Sequence, residues 1–128
     1  VELKEKKDRV DDAINATKAA VKEGIVPGGG IALLNAAQKL NGKTEGEKIF
    51  IEAIKSPYKT ILNNAGLDTD ILTGKKGWGI DVVTGKPVSM IKAGIIDPVL
   101  VTKTALKNAV SVATTILSTD CVINNMRE

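Results

Sequence analysis

The chain has 128 residues, 43% hydrophobic and 26% charged, with a net charge of +3. That is one ordinary domain's worth of chain, apolar enough to bury a core, and the balance excludes a disordered polypeptide. No histidine and a single cysteine, Cys121, exclude histidine-based triads, histidine-ligated metals, an internal disulfide and a CxxC metal site.

Residues 1–23 open the chain with Leu3, Val10, Ala13, Ile14, Thr17, Ala20 and Val21 at three- and four-residue spacing. This period predicts an amphipathic helix with one buried stripe. Its six acidic and six basic residues leave no net charge, and Glu2 with Lys6 and Glu5 with Arg9 stand at i,i+4. Such dense charge is not an apolar targeting segment. With no initiator methionine and the pattern already running at Val1, the chain reads as a piece of something larger. Gly24 is expected to end the helix in a left-handed cap. Ile25-Val26-Pro27 is short and extended, because a residue before proline is pushed away from helix.

Gly28-Gly29-Gly30 opens a second apolar segment over 31–40, stopped by Asn41-Gly42. Thr44 and Glu47 have capping-box spacing for a third helix, running to about residue 55. Ser56-Pro57 starts a fourth, stopped by Gly66. Between 66 and 94 the glycines at 74, 77, 79 and 85 punctuate short apolar runs, and Thr84-Gly85-Lys86-Pro87 reads as a hairpin turn. Strand is expected here and nowhere else. Asp97-Pro98 predicts a helix start, with Asp97 as N-cap and Pro98 in the first turn. The last helix, over 98–118, carries only Lys103 and Lys107 as charges. A helix that apolar is buried on most sides, and part of its covering is expected to lie outside this chain. Its charge-free run, 108–119, falls well below the ~20 residues of a membrane span. With three aromatics in all, the core is built from Ala, Val, Ile and Leu, which suits closely packed helices. The fold class expected is mainly α, a helical bundle with a small β-hairpin.

Few residues carry chemistry by pattern alone. Three glycines before a helix permit close backbone approach and leave N–H groups for an anion, or else serve as a flexible turn or a tight packing point. Gly42-Lys43-Thr44 has a P-loop ending but Ala37 where the first glycine belongs, and Gly85-Lys86 is followed by Pro87, so neither is a P-loop. Lys75 and Lys76 fit a solvated turn or a phosphate contact. Asp11 reads as surface charge. Asp12, if it adjoins the apolar stripe, reaches toward a cleft and otherwise is solvated. Cys121 reads as a small core residue, and lone cysteine usage points to a reducing compartment. The Asn15-Ala16-Thr17 sequon falls inside the first helix and is read as helix. From these residues alone the chain is a mostly helical domain with a possible anion site at its glycines.

The stretch Ala19-Ala20-Val21-Lys22-Glu23-Gly24-Ile25-Val26-Pro27-Gly28-Gly29-Gly30 resembles the signature of the GroEL-type (group I) chaperonins. Residues 1–20 resemble the segment leading into that signature. Asn64-Ala65-Gly66, Trp78-Gly79-Ile80-Asp81, Thr84-Gly85, Gly94-Ile95-Ile96-Asp97-Pro98 and Thr119-Asp120-Cys121 follow in family order, so the likeness covers essentially the whole chain. It implies a C-terminal fragment of an ATP-dependent protein-folding subunit. Residues 1–23 are then the returning helix and hinge of the intermediate domain, and 24–128 the C-terminal half of the equatorial, ATP-binding domain.

The resemblance also implies roles. Asp12 matches the aspartate that positions the attacking water for ATP hydrolysis. Gly28, Gly29 and Gly30 match the glycines approaching the nucleotide. Asp81, Val82 and Val83 match a stretch contacting adenine, Ile95 an apolar wall of the base pocket, and Asp97 the carboxylate that hydrogen-bonds the ribose. The cofactor implied is ATP with Mg²⁺, the metal ligand coming from an N-terminal part outside this chain, and no metal is assigned to the residues here. The implied partners are non-native polypeptides and a lid co-chaperonin through an absent apical domain, and sister subunits of a homo-oligomeric ring. No nucleic acid or membrane partner is expected, and the location is cytoplasmic. Alone, the chain is expected to be inactive as an ATPase. Lys22, Pro27, the bulky Val82-Val83 pair and a short loop before Trp78 depart from the family pattern. A non-enzymatic helical interaction module derived from a chaperonin is the competing reading. A weak nucleic-acid binder is a third, and it rests only on a pI near 9.0.

Overall fold

The computed structural model describes residues 1–69, 75–121 and 123. Its helices are α1 (Glu2–Glu23), α2 (Ile31–Ala37), α3 (Glu45–Ala53), α4 (Ser56–Asn64) and α5 (Val99–Leu117). Its strands are β1 (Ile25–Pro27), β2 (Trp78–Asp81), β3 (Lys86–Ser89) and β4 (Ile96–Pro98). The fold is mainly α with a small hairpin, as the composition and periodicity predict.

Local signals set most element ends. Thr44 Oγ1 accepts the Glu47 N–H at 3.2 Å, and Glu47 Oε2 accepts the Thr44 N–H at 3.3 Å, closing the capping box at the start of α3. At the end of α4, Gly66 adopts φ 69°, which brings the Leu67 N–H onto Leu62 O at 2.9 Å and the Gly66 N–H onto Asn63 O at 3.0 Å. That is the Schellman pattern, and Leu67 packs on the core behind it.

Gly24 behaves differently from the expected cap. Its φ of 86° is positive, but ψ is −170°, outside the left-handed helical region. The chain must leave α1 straight into a strand. The Gly24 N–H still closes on Ala20 O at 2.8 Å, and its carbonyl accepts the Val99 N–H at 3.0 Å.

Strand also appears where none was expected. β1 pairs antiparallel with β4, in the register Ile25↔Pro98, Val26↔Asp97 and Pro27↔Ile96. The second ribbon is the expected hairpin, β2 with β3, in the register Trp78↔Ser89 and Ile80↔Pro87. Its loop sits two residues earlier than read from sequence: 82–85 turn, while Lys86 and Pro87 already belong to β3. A two-stranded ribbon has only edge strands, so proline is tolerated there. Of the punctuating glycines, Gly74 lies outside the described residues.

The core is Ile31 and Leu34 of α2, Tyr58 and Leu62 of α4, Ile80 of β2 and Met90 just after β3. Neither long helix joins it. The predicted stripe of α1 is not buried: Leu3 is 82% and Val21 83% exposed, and only Ala19 and Ala20 are half-buried, near the turns that meet β4 and α5. Amphipathic spacing specifies a partner surface, and these residues do not supply it. α5 likewise buries none of its residues, with Leu117 88% exposed. The hydroxyls of Thr114 and Thr115 bond back to Val110 O at 2.8 Å and Ser111 O at 3.0 Å, which makes the exposed helix more apolar than its composition. Cys121 is exposed too, contrary to a core role, because it lies beyond the last turn of α5.

On the surface, Glu52 joins α3 to α4 by accepting hydrogen bonds from Lys55 Nζ at 2.8 Å and Lys59 Nζ at 2.7 Å. The Lys55 bond first, then the Lys59 bond, lower its carboxyl from the ordinary 4.5 to about 2. A depressed folded-state value means the clasp contributes fully above pH 4.5 and is lost as pH falls toward 2. The group is solvated, so the contribution is small. An NMR titration of the Glu52 side chain is expected to show a midpoint near 2. A midpoint at the ordinary carboxylate value would mean that the clasp is not formed in solution.

Candidate functional site

The β1–β4 ribbon creates the site. Both strands end in proline, at Pro27 and Pro98, so the residue before each is held extended and the two segments lie side by side. The pairing continues one residue past β1: the Gly28 N–H donates to Ile95 O at 2.9 Å. The glycine turn therefore begins directly beside the segment that carries Ile95 and Asp97.

The three glycines do different things. A Cβ on Gly28 would stand 3.2 Å from the backbone of Ile95 and Ile96. One on Gly30 would stand 2.7 Å from Tyr58 N, and φ there is 78°. These two are close-approach positions, binding the turn to β4 and to α4. Gly29, with φ 65°, meets only the terminal methyl of Met90, at 2.9 Å. Neither the Gly29 nor the Gly30 N–H has a backbone acceptor among the described residues. The helix that follows has seven residues rather than the ten expected, so its dipole adds little and the N–H groups themselves are the donors.

A groove of about 670 Å³ runs from this turn between α5 and the α2–α4 layer. Pro27, Gly29, Gly30 and Asp97 line it near the turn, and Phe50, Ile54, Ile61, Leu106 and Val110 are among its apolar lining residues. Asp97 is not the helix cap that its position before proline suggests. Pro98 itself is the N-cap residue, with ψ 134°, and no side chain caps α5. Pairing with Val26 holds Asp97 in β4, half-buried, and its carboxylate has no hydrogen-bond partner among the described residues.

Three of the residues singled out from sequence thus share one groove: Gly29, Gly30 and Asp97. Gly28 is buried behind them, and Ile95 packs on the core with its carbonyl tied to Gly28. Asp81 is half-buried and spends Oδ1 on the Val83 N–H at 2.9 Å, bracing the hairpin loop. Val82 and Val83 are exposed on that loop, and neither lines the groove. Asp12 is solvent-exposed and eleven residues before the end of α1, about 16 Å along the helix. Lys75 lies over the Trp78 ring, 5.1 Å from its centroid. Two features had no signal in the sequence reading. One is the ion pair of Glu23 with Lys103, at 2.7 Å, joining the end of α1 to α5. The other is Met90, a residue with no polar chemistry, packed beneath the turn.

The sequence profile of the TCP-1/cpn60 chaperonin family matches residues 1–127. The chain belongs to this family. The match includes the exposed α1, the glycine turn and α5, so the elements that a self-contained domain would bury are part of the chaperonin pattern. Among the described residues of this chaperonin chain, no three Asp, Glu, His or Cys side chains group to hold a metal ion. No described helix is long and apolar enough to cross a membrane.

Proposed function

We propose that this chaperonin chain is the C-terminal part of a GroEL-type (group I) subunit and supplies one side of its ATP site. In this reading residues 1–23 are the intermediate-domain helix and hinge, and 24–128 the C-terminal half of the equatorial domain. The observation that carries it is the placing of Asp97, whose carboxylate has no partner among the described residues, beside the Gly29-Gly30 turn at the same groove. Backbone N–H groups suit phosphate oxygens, and a free carboxylate suits ribose hydroxyls. Asp12 is the hydrolytic residue, and Gly28 and Ile95 hold the site's frame. Asp81, Val82 and Val83 border the adenine. Mg²⁺ enters with ATP and is ligated by the N-terminal part of the subunit, which also covers the apolar groove and the face of α5. Non-native polypeptides and the lid co-chaperonin bind through the apical domain, and sister subunits close a cytoplasmic ring.

The exposed apolar face of α5 also suits the second reading, a helical interaction module without nucleotide chemistry. Nucleotide affinity separates the two. In the natural full-length protein, Asp97→Ala is expected to weaken ATP binding about 10- to 100-fold, the worth of hydrogen bonds to a charged group, and to reduce discrimination against 2′-deoxy-ATP. Calorimetric titration measures both. No nucleotide binding at all would favour the interaction module, and binding unchanged by the substitution would remove Asp97 from the site.

A further inference from the structure

We infer that Met90 is a positioning residue for the nucleotide site, the side chain that sets the height of the Gly29 turn against Asp97. The inference rests on the reading of that turn as a phosphate contact. Met90 is 2% exposed and lies between two glycines. Its Cε is 2.9 Å from where a Cβ of Gly29 would stand, and its Sδ is 3.0 Å from the corresponding point on Gly79 of β2. Apart from its chain neighbours, nothing else among the described residues comes within 4 Å of that point on Gly29. Gly28 and Gly30 are held by backbone, at Ile95 and Tyr58, whereas Gly29 rests on one methyl group.

The backbone of Met90 connects the same parts. Its N–H donates to Gly77 O at 3.1 Å, at the foot of the hairpin. Its carbonyl accepts the Ile95 N–H at 2.9 Å, and the Ile95 carbonyl in turn accepts the Gly28 N–H at 2.9 Å. One residue thus joins the hairpin that carries Asp81, the strand that carries Asp97 and the glycine turn. The slot between two residues without Cβ atoms suits an unbranched thioether, which fills irregular gaps. Leucine has nearly the same volume but branches at Cγ and reaches one atom less far, so it preserves the core while leaving the far end of the slot unfilled.

The test uses the natural full-length protein. Met90→Leu is expected to raise the Kd for ADP about tenfold, as a small misplacement of a binding group does, with kcat at saturating ATP within about twofold of wild type. Leu62→Val, an equally buried substitution on α4, is expected to lower the melting temperature with no change in Kd. Asp97→Ala is measured alongside. If it raises Kd and Met90→Leu does not, the positioning role is overturned and the site stands. If neither changes Kd, the reading of the turn fails, and the role of Met90 fails with it. A measurement without any variant guards against misfolding: the ¹³C-methyl signal of Met90 should shift on adding ADP to the wild-type protein, and an unmoved signal overturns the inference.

Discussion

Asp12→Ala, in the natural full-length protein, is expected to lower ATP turnover about 10²- to 10⁴-fold while nucleotide affinity changes by no more than about threefold. Phosphoryl transfer depends on positioning and charge stabilisation, so a carboxylate that orients the attacking water acts on kcat rather than on binding. Asp12 does not stand at the groove in this structure, and the mechanism requires α1 to carry it there. The construction of α1 permits this. None of its residues is buried, so swinging it gives up little apolar contact. Gly24, at its end, takes a positive φ, and none of the described residues beyond its chain neighbours comes within 4 Å of where a Cβ would be. At that end α1 is held by the half-buried Ala19 and Ala20, near β4 and α5, and by the Glu23–Lys103 pair on the surface, which is worth little in water. The 128-residue chain alone, assayed in parallel, should show no turnover that survives re-purification. Single-turnover and steady-state assays on both proteins decide the matter. Unchanged turnover in the variant would make Asp12 an ordinary helix-surface charge and reduce the likeness to one of fold.

Gly30→Ala is expected to be the most damaging single-methyl substitution in the glycine turn, costing about 2–4 kcal/mol of stability from overpacking together with backbone strain. The new Cβ would lie 2.7 Å from Tyr58 N and 2.9 Å from Tyr58 Cα, atoms of a helix backbone that cannot rotate aside. α4 carries Tyr58 and Leu62 of the core, so a shift of α4 loosens the packing of α2 and the hairpin as well. Gly66→Ala supplies the control. It shares the left-handed φ, at 69°, but nothing among the described residues lies within 4 Å of its added Cβ, so only the backbone strain of about 1 kcal/mol or somewhat more remains. Denaturant unfolding of the two variants compares them directly. Equal losses would show that the turn does not approach α4 as closely as described.

Much of the fold was legible because it is decided within a few residues of chain. The capping box at Thr44, the stop at Gly66, the helix start at Ser56-Pro57 and the hairpin need only local spacing and backbone preference. The candidate site was legible in part, since Gly29 and Asp97 stand out by residue type and by resemblance. Their meeting was not. It depends on the pairing of 25–27 with 96–98, two three-residue strands about 70 positions apart, which no local pattern announces. That pairing also changed what Asp97 does. Before proline it has the look of a helix cap, yet α5 starts one residue later with Pro98 as its N-cap, so Asp97 stands a residue too early to cap it and its carboxylate is left for something else.

The apolar patterns of α1 and α5 predict buried faces, and neither helix buries a residue here, because a period of 3.6 says nothing about where a covering comes from. Met90 shows the same limit at a single position. A methionine carries no motif, and its importance lies in two glycines that the tertiary structure brings against the thioether at its tip. By itself, then, the sequence determined the helices, the caps at Thr44 and Gly66, the hairpin and the family, because those depend on neighbours along the chain. Only the tertiary structure decided which apolar faces are buried and which glycines are packing points. It also decided that Asp97 stands at the groove with no partner among the described residues, because these things depend on neighbours in space.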